Sequence, residues 1–102
     1  MADDLQLTAP TAKGIASYPP GATYGPRLMR DYEFVWMIEG DAEYCREGQT
    51  VAAPAGSIVL CQPGATDFFR WDPQRPTRHA FYHFDVMHVP DSWRAPDTWP
   101  LV

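Results

Sequence analysis

The sequence predicts a single small all-β domain, a barrel or sandwich of short strands joined by tight turns. Its 102 residues correspond to one domain. Aromatic residues make up 14% of the chain and prolines number 11, a combination that favours short strands and rigid turns over long helices. Turn signals recur roughly every eight to twelve residues between apolar segments, which is typical of β-sandwiches and barrels.

Segments of apolar or alternating character predict the strands in order along the chain. They are residues 15–18, 24–29, 32–39, 42–45, 49–53, 57–62, 67–71 and 78–89. The strongest is 32–39 (YEFVWMIE), because it is rich in β-branched and aromatic residues and ends at Gly40-Asp41. Glycine- and proline-containing turns separate the segments that follow it.

The two ends of the chain differ from this pattern. Residues 1–13 are polar without a strong period and predict an irregular arm. The barrel is expected over residues 14–90. Residues 91–102 form a proline- and tryptophan-containing tail, the start of a linker or dimerisation segment, whose Trp93 and Trp99 are expected to pack back onto the barrel.

Charge and cysteine content limit the functional classes. The net charge is −5 and the arginines are scattered, so the basic surface that nucleic-acid binding requires is missing from this chain. Two cysteines without a signal peptide predict buried, reduced thiols in a cytoplasmic protein. The apolar runs are far below the ~18 residues that a membrane-spanning helix needs, so we expect no membrane association.

Two charged residues lie in or next to the strongest strand. Glu33 shares a strand face with Val35 and Met37, and a carboxylate there is costly to bury without a partner. It therefore faces either water or a polar pocket. One of the preceding arginines, Arg27 or Arg30, is a candidate partner for Glu33 or an anchor for an anionic or hydroxylated ligand.

Asp67, Phe69 and Trp71 alternate on one face of a later strand. An aromatic ring beside a carboxylate suits stacking against a sugar while accepting hydrogen bonds from its hydroxyls. An aromatic face is also what an ordinary core requires, and both interpretations remain open.

Histidines cluster in the last predicted strand. His79 and His83 are expected to share a face with Phe81, separated by roughly 13 Å along the strand from a rise of about 3.3 Å per residue. That separation is too great for both to bind one ion. The pattern favours one pocket histidine and one hydrogen-bonded histidine near the rim.

The face opposite Glu33 carries Phe34, Trp36 and Ile38. Such a face needs a cover, which a second sheet, a partner chain or further helices would provide. A large exposed apolar patch there would indicate an interface, and with it an assembly module that binds no small ligand.

The spacing of Glu33, Gly40, Gly56 and Pro63-Gly64 resembles the two cupin motifs. The resemblance implies a small cupin or jelly-roll barrel. Asp67 stands where the second motif has a histidine, and the paired histidines of the first motif are absent. We therefore expect no cofactor and no catalytic residues. The alternative is a stand-alone metal-dependent cupin enzyme that would use Glu33, Asp67 and His79 as ligands.

Residues 32–40, 54–64 and 81–84 resemble the N-terminal effector-binding domain of AraC-family transcriptional regulators, the arabinose-binding type. That resemblance implies the sensing of a small molecule, such as a sugar, inside the barrel. It also implies DNA binding only through a helix-turn-helix part that is not in this chain, and it allows a homodimer. The ligand-binding residues that it and the strand faces indicate are Arg27, Glu33, Asp67, Phe69, His79 and Phe81.

Overall fold

A computed structural model describes residues 4–102, apart from the side chain of Asp97, and confirms the all-β class. A strand is present at every segment that the sequence predicts. The elements are β1 (Gln6–Leu7), β2 (Ala12–Tyr18), β3 (Thr23–Leu28), β4 (Tyr32–Glu39), β5 (Ala42–Arg46), β6 (Gln49–Ala53), β7 (Ile58–Cys61), β8 (Thr66–Arg70), β9 (Thr77–Phe84), β10 (Val86–His88) and a short 3-10 helix (Pro96–Thr98).

The strands form two four-stranded antiparallel sheets and one small pair. The first sheet has the order β2-β9-β4-β7 and the second has the order β3-β8-β5-β6, while β1 pairs with β10. Side chains from both sheets meet in one core, with Val35 and Met37 from the first sheet and Tyr44 and Phe69 from the second. The arrangement is that of a jelly roll, in which two antiparallel sheets enclose an interior.

Strand β4 shows how the residue pattern divides inside from outside. Val35 and Met37 are buried, whereas Phe34 and Trp36 are exposed on the opposite face. Glu33 lies on the buried face, as the alternation predicts. The polar-pocket interpretation of Glu33 is therefore the correct one, and its carboxylate needs partners inside the barrel.

Gly40, one of the residues whose spacing resembles the cupin motifs, lies in the turn after β4. Gly40 has φ +85°, and a side-chain Cβ there would lie 2.8 Å from the Thr77 hydroxyl. Both the left-handed backbone and the close approach of β9 exclude other residues. The strongest strand therefore ends at the residue that the sequence indicates.

The N-terminal segment is more ordered than an irregular arm. Residues 1–3 lie outside the described residues, but 4–13 contain β1 and the first two residues of β2. The Thr8 N–H donates to the Asp85 carbonyl at 2.9 Å, and the Thr8 hydroxyl accepts from the Asp85 N–H at 2.8 Å. These bonds interrupt the long predicted strand 78–89 at Asp85. The exposed edge of that strand pairs with the N-terminal segment. The polar composition of residues 4–13 does not predict this pairing.

The C-terminal tail returns along the edge of β7. The Leu60 N–H donates to the Leu101 carbonyl at 2.8 Å, and the Gln62 side chain donates to the Pro96 carbonyl at 2.5 Å. Trp99 lies 6.3 Å from the Tyr32 ring, so its packing onto the barrel is confirmed. Trp93 remains half exposed and contacts Trp99.

Candidate functional site

The interior is organised around Arg27, and a bulge in β3 places it there. The register of β3 against β8 shifts between Tyr24 and Arg27, which sets Arg27 directly opposite Asp67. Gly25 makes the bulge possible, because its φ is +100° and a Cβ would lie 2.9 Å from the Asp67 carbonyl oxygen. The guanidinium therefore points into the barrel instead of toward solvent.

Arg27 bridges two buried carboxylates. Its Nε donates to Asp67 Oδ1 at 2.7 Å, and its Nη2 donates to Glu33 Oε1 at 2.5 Å. The side chain of Arg27 is 16% exposed and those of Glu33 and Asp67 are almost fully buried. Although burial alone would lower the pKa of Arg27, the hydrogen bond to Asp67 and the charge of Glu33 raise it above its ordinary value. The guanidinium is permanently charged and already neutralised by protein groups.

Two further side chains complete the polar network. The Tyr44 hydroxyl donates to Asp67 Oδ2 at 2.6 Å. Burial, followed by the effects of Cys61 and Asp67, raises the pKa of Tyr44 above its usual value of 10, so this hydroxyl keeps its proton. His83 Nε2 lies 3.1 Å from Glu33 Oε2, and its Nδ1 lies 3.0 Å from Asp31 Oδ1.

A buried thiol lies beside this network. Cys61 is fully buried and lies directly opposite Glu33 across the β4–β7 pair. Burial, with the charge of Glu33 next, raises the pKa of the Cys61 thiol well above its usual value of 9. The thiol is therefore protonated and a poor nucleophile. Both Cys61 and Cys45 are free and buried, as the sequence predicts.

A stack of aromatic rings forms the other half of the interior. The Trp71 ring lies parallel to Phe69, with centroids 4.6 Å apart, and to Tyr18, with centroids 4.7 Å apart. His79 stacks on Trp71 at 4.9 Å and on Tyr18 at 5.6 Å. Because these residues come from strands of both sheets, the stack joins the two sheets through ring faces.

Two rings of this stack carry buried nitrogens without hydrogen bonds. His79 is 5% exposed and Trp71 is 3% exposed. Among residues 4–102, no partner with hydrogen-bond geometry reaches either imidazole nitrogen of His79 or the indole nitrogen of Trp71. Burial lowers the pKa of His79 below its usual 6.5, and the nearby Ala80 backbone and Glu33 offset this only in part. A neutral His79 offers one donor and one acceptor.

Phe81 lies between the two histidines at the half-buried side of the interior. Its ring centroid is 6.2 Å from that of His79 and 6.1 Å from that of His83. The Phe81 ring lies against the β2 backbone, where a Cβ on Gly14 would be 3.0 Å from the ring tip. Phe81 therefore occupies space that the missing side chain of Gly14 leaves open.

The structure brings all six predicted ligand residues to one interior. Arg27, Glu33 and Asp67 bond to one another, while Phe69, His79 and Phe81 belong to the neighbouring aromatic group. Contact of these residues with a ligand stays a prediction. His83 is the hydrogen-bonded rim histidine and His79 is the interior one, in agreement with the pattern of the last strand.

The residues do not fit a metal ion in the way the alternative hypothesis requires. Glu33 and Asp67 are held apart by the guanidinium of Arg27, and His79 lies in the aromatic stack without contact to either carboxylate. In the described part of the chain no group of three metal-ligating side chains has a suitable arrangement. The positive charge between the two carboxylates is supplied by arginine.

Sequence analysis did not assign Tyr18 or Tyr44 to this interior, and it left Trp71 open between a core role and a ligand-stacking role. Tyr44 lies two residues after the buried Ala42 in β5, so the alternation of strand side chains indicates that both point inward. That pattern does not indicate the hydrogen bond from Tyr44 to Asp67. Tyr18 and Trp71 are inward-facing aromatic residues on the two sheets. Their stacking on His79 depends on how the sheets face each other, which strand patterns do not specify.

No helix of the described residues is long and apolar enough to cross a membrane.

Comparisons with known proteins identify the fold. A scan against protein-family models found no match, and a search of the curated proteins found no significant relative. Solved structures do match. The cupin domain of Schizosaccharomyces pombe Cnp3 has a TM-score of 0.68 at 15% identity, over 78% of this chain and 66% of that chain.

Two further structures agree with this match. A cupin 2 conserved barrel domain protein from Salinispora arenicola has a TM-score of 0.64 at 20% identity, over 82% of this chain and 78% of that one. A predicted oxalate decarboxylase from Thermotoga maritima has a TM-score of 0.63 at 14% identity, over 74% and 65%. This chain thus spans slightly less than two thirds of the Cnp3 and Thermotoga chains. Identities this low establish architecture alone. The chain has the cupin fold, a small jelly-roll barrel.

Proposed function

We propose that this chain is a sensing domain that binds a small, uncharged, hydroxylated molecule, such as a sugar, inside the barrel. The observation that carries the proposal is the set of unpaired buried nitrogens on His79 and Trp71. Leaving a buried polar group unpaired costs about 1–3 kcal/mol, and each such group in a folded protein requires an explanation. The hydroxyl groups of such a ligand would hydrogen-bond the Trp71 N–H and both nitrogens of His79, one as a donor and one as an acceptor.

The charge distribution supports an uncharged ligand. The Arg27 guanidinium lies 5.9 Å from the centroid of the Phe69 ring in the stack, and both Glu33 and Asp67 already neutralise it. An anionic ligand would have to displace a buried carboxylate from the guanidinium, leaving that carboxylate without a partner. An uncharged ligand leaves this network intact.

The aromatic rings support a ligand with a flat apolar face. Sugars present such faces on their C–H groups, and Phe81 is the half-buried ring beside His79. Residues 32–40, 54–64 and 81–84 resemble AraC-family effector domains, which extends the proposal to a cytoplasmic transcription regulator. DNA would then be bound through a helix-turn-helix part outside residues 1–102.

A thermal-shift screen tests the binding proposal. Neutral sugars, polyols and small acids are added to the wild type, to His79→Phe and to His88→Phe. The phenylalanine at 79 keeps a ring in the stack but removes both nitrogens, whereas His88 is an exposed histidine on β10. A specific neutral ligand in hundredfold excess over its Kd should stabilise the wild type and His88→Phe by about 2.7 kcal/mol, and His79→Phe much less. Equal stabilisation of all three proteins would contradict this site.

A further inference from the structure

The outer face of the first sheet carries an apolar recess that is separate from the interior site. The strand register places four residues side by side across the four strands, namely Ile15, Ala80, Trp36 and Ile58. The three large ones are 58%, 53% and 53% exposed in the order Ile15, Trp36 and Ile58. Because Ala80 is the one small residue of the row, the large side chains rise around it.

The neighbouring row and the N-terminal segment border the same recess. Phe34 lies opposite Tyr82 in the strand register, and both rings are partly exposed. Leu7 of β1, a strand outside this sheet, also lines the recess. The concavity that these residues enclose has a volume of about 800 Å³. Sites for small molecules are concave and mostly apolar with few polar groups, and they typically have volumes of about 300–1,000 Å³.

The recess has a single charged side chain at its border. Of the described residues that line it, Lys13 carries the one charge and Tyr82 supplies the other polar side chain. The two residues lie directly opposite each other across β2 and β9, so both side chains are on the outer face. None of the ion pairs among residues 4–102 includes Lys13. The Lys13 ammonium is therefore available to a ligand beside the Tyr82 hydroxyl.

The surrounding charges leave Lys13 as an isolated cation. In the next row beyond Ala80, Arg78 lies opposite Glu39, so that row holds one charge of each sign. The chain as a whole has a net charge of −5 and repels anions over most of its surface. A lone cation at the border of an apolar recess favours a ligand with one negative charge at the end of an apolar body.

We propose that this recess binds a fatty acid monomer, an unbranched acyl chain with a terminal carboxylate. The carboxylate pairs with Lys13 and accepts a hydrogen bond from the Tyr82 hydroxyl. The acyl chain lies across the strands over Ala80 and reaches Trp36 and Ile58. Four strands spaced about 4.8 Å apart give this apolar path a length of roughly 14 Å from β2 to β7.

Isothermal titration calorimetry of the full chain with octanoate, decanoate and dodecanoate below their micelle concentrations tests the proposal. Burial of methylene groups is the main source of affinity in such a site. Each two methylenes added to the acyl chain should therefore tighten the Kd by about tenfold. A Kd that does not change with chain length overturns the proposal.

Substitutions test the charged end and the recess separately. Lys13→Met should weaken decanoate binding about two- to fivefold, the effect of one exposed ion pair, and Lys13→Arg should restore it. Neither change should affect decanol, which carries no charge. Trp36→Ala should weaken both ligands by at least about tenfold through lost apolar contact. Leu28→Ala is the matched control, because Leu28 is 60% exposed on the second sheet, and it should leave both ligands unchanged.

Further variants keep the test decisive. Thermal unfolding verifies that each variant retains the fold, and Ile58→Ala replaces Trp36→Ala if the latter does not fold. His79→Phe should bind decanoate like the wild type, because His79 lies in the interior. Decanoate binding that His79→Phe abolishes, or that Lys13→Met leaves unchanged, overturns the proposal.

Other occupants of this face give different results in the same experiments. A wild type that binds no dodecanoate at millimolar concentration overturns the proposal. Self-association of the chain that Trp36→Ala weakens and dodecanoate does not reverse would assign the face to a protein partner, and it overturns the proposal as well.

Discussion

At the scale of single residues, Arg27 determines the electrostatics of the interior. It joins Asp67 of β8 to Glu33 of β4, so one guanidinium links the two sheets. Removing one partner of a buried ion pair leaves an uncompensated charge, which costs far more than the pair itself contributes. The network is therefore sensitive to the loss of any one of these three groups.

Substitution of Arg27 measures that sensitivity. Arg27→Met keeps the apolar part of the side chain but leaves two buried carboxylates without their cation, so we expect a loss of about 3–5 kcal/mol in urea unfolding. Arg70→Met removes an exposed pair with Glu43 and should cost less than about 1 kcal/mol. Similar losses in the two variants would mean that the interior network contributes no more than a surface pair.

His79 gives the interior a defined pH dependence. Burial lowers the pKa of folded His79 below its usual 6.5, so the unfolded chain binds a proton more readily. This residue therefore contributes stability that is fully present above about pH 6.5 and is lost as the pH falls from there toward the lower, folded pKa. Wild type should lose stability relative to His79→Phe between pH 7 and pH 5. A constant difference between the two proteins over that range would contradict a buried neutral imidazole.

Sequence patterns predict which single residues point inward, but they do not predict all of the contacts that these residues make. Alternation in β4 predicts that Glu33 is inward, and Arg27 is among its predicted partners. The contact itself depends on the bulge between Tyr24 and Arg27, which changes the register of β3. The unpaired nitrogens of His79 and Trp71 depend on the packing of two sheets that no local pattern describes.

At the scale of elements, the turn residues determine where strands begin and end. Pairing with a neighbouring segment adds strands that the residue pattern alone does not predict. The strands that follow Gly40 and Gly48 begin where the sequence predicts, because those glycines have positive φ values. The β1–β10 pair is different, since β10 lies within the predicted strand 78–89 whereas β1 lies in a segment that the sequence predicts as irregular. Next to this pair, the Thr8 N–H donates to the Asp85 carbonyl and the Asp85 N–H donates to the Thr8 hydroxyl.

The bulge in β3 predicts a specific glycine requirement. Gly25→Ala adds a Cβ at 2.9 Å from the Asp67 carbonyl oxygen and forces a positive φ on alanine, so it should displace Arg27 from Asp67. Gly21→Ala is the matched control, with φ +78° and open space around the Cβ. We expect Gly25→Ala to be less stable than Gly21→Ala by about 1–3 kcal/mol in chemical denaturation. Equal stability would mean that the bulge does not position the arginine.

At the scale of the whole molecule, the barrel has two distinct surfaces. The interior is polar on the Arg27 side and aromatic on the Trp71 side, while the outer face of the first sheet is apolar around Trp36. The same strands build both, because alternate residues of β4 and β9 point to opposite faces. Substitutions on the outer face and in the interior can therefore be tested separately.

The position of Arg27 between two buried carboxylates predicts that stability does not depend on a metal ion. Because Arg27 already lies between Glu33 and Asp67, neither EDTA nor added Zn²⁺, Mn²⁺ or Ni²⁺ should change the Tm of the wild type. Elemental analysis of protein purified without a tag provides the direct check. A stoichiometric metal ion would contradict the assignment of Arg27 as the cation of this site.

The most direct test of interior binding follows the indole N–H signals of the four tryptophans by NMR during titration with the ligand from the thermal screen. Trp71 is identified by the signal that Trp71→Phe removes. Binding beside His79 should give the unpaired Trp71 N–H a new hydrogen bond and shift its resonance, while the Trp36 resonance on the outer face stays in place. A stabilising ligand that shifts Trp36 and leaves Trp71 unchanged would contradict interior binding.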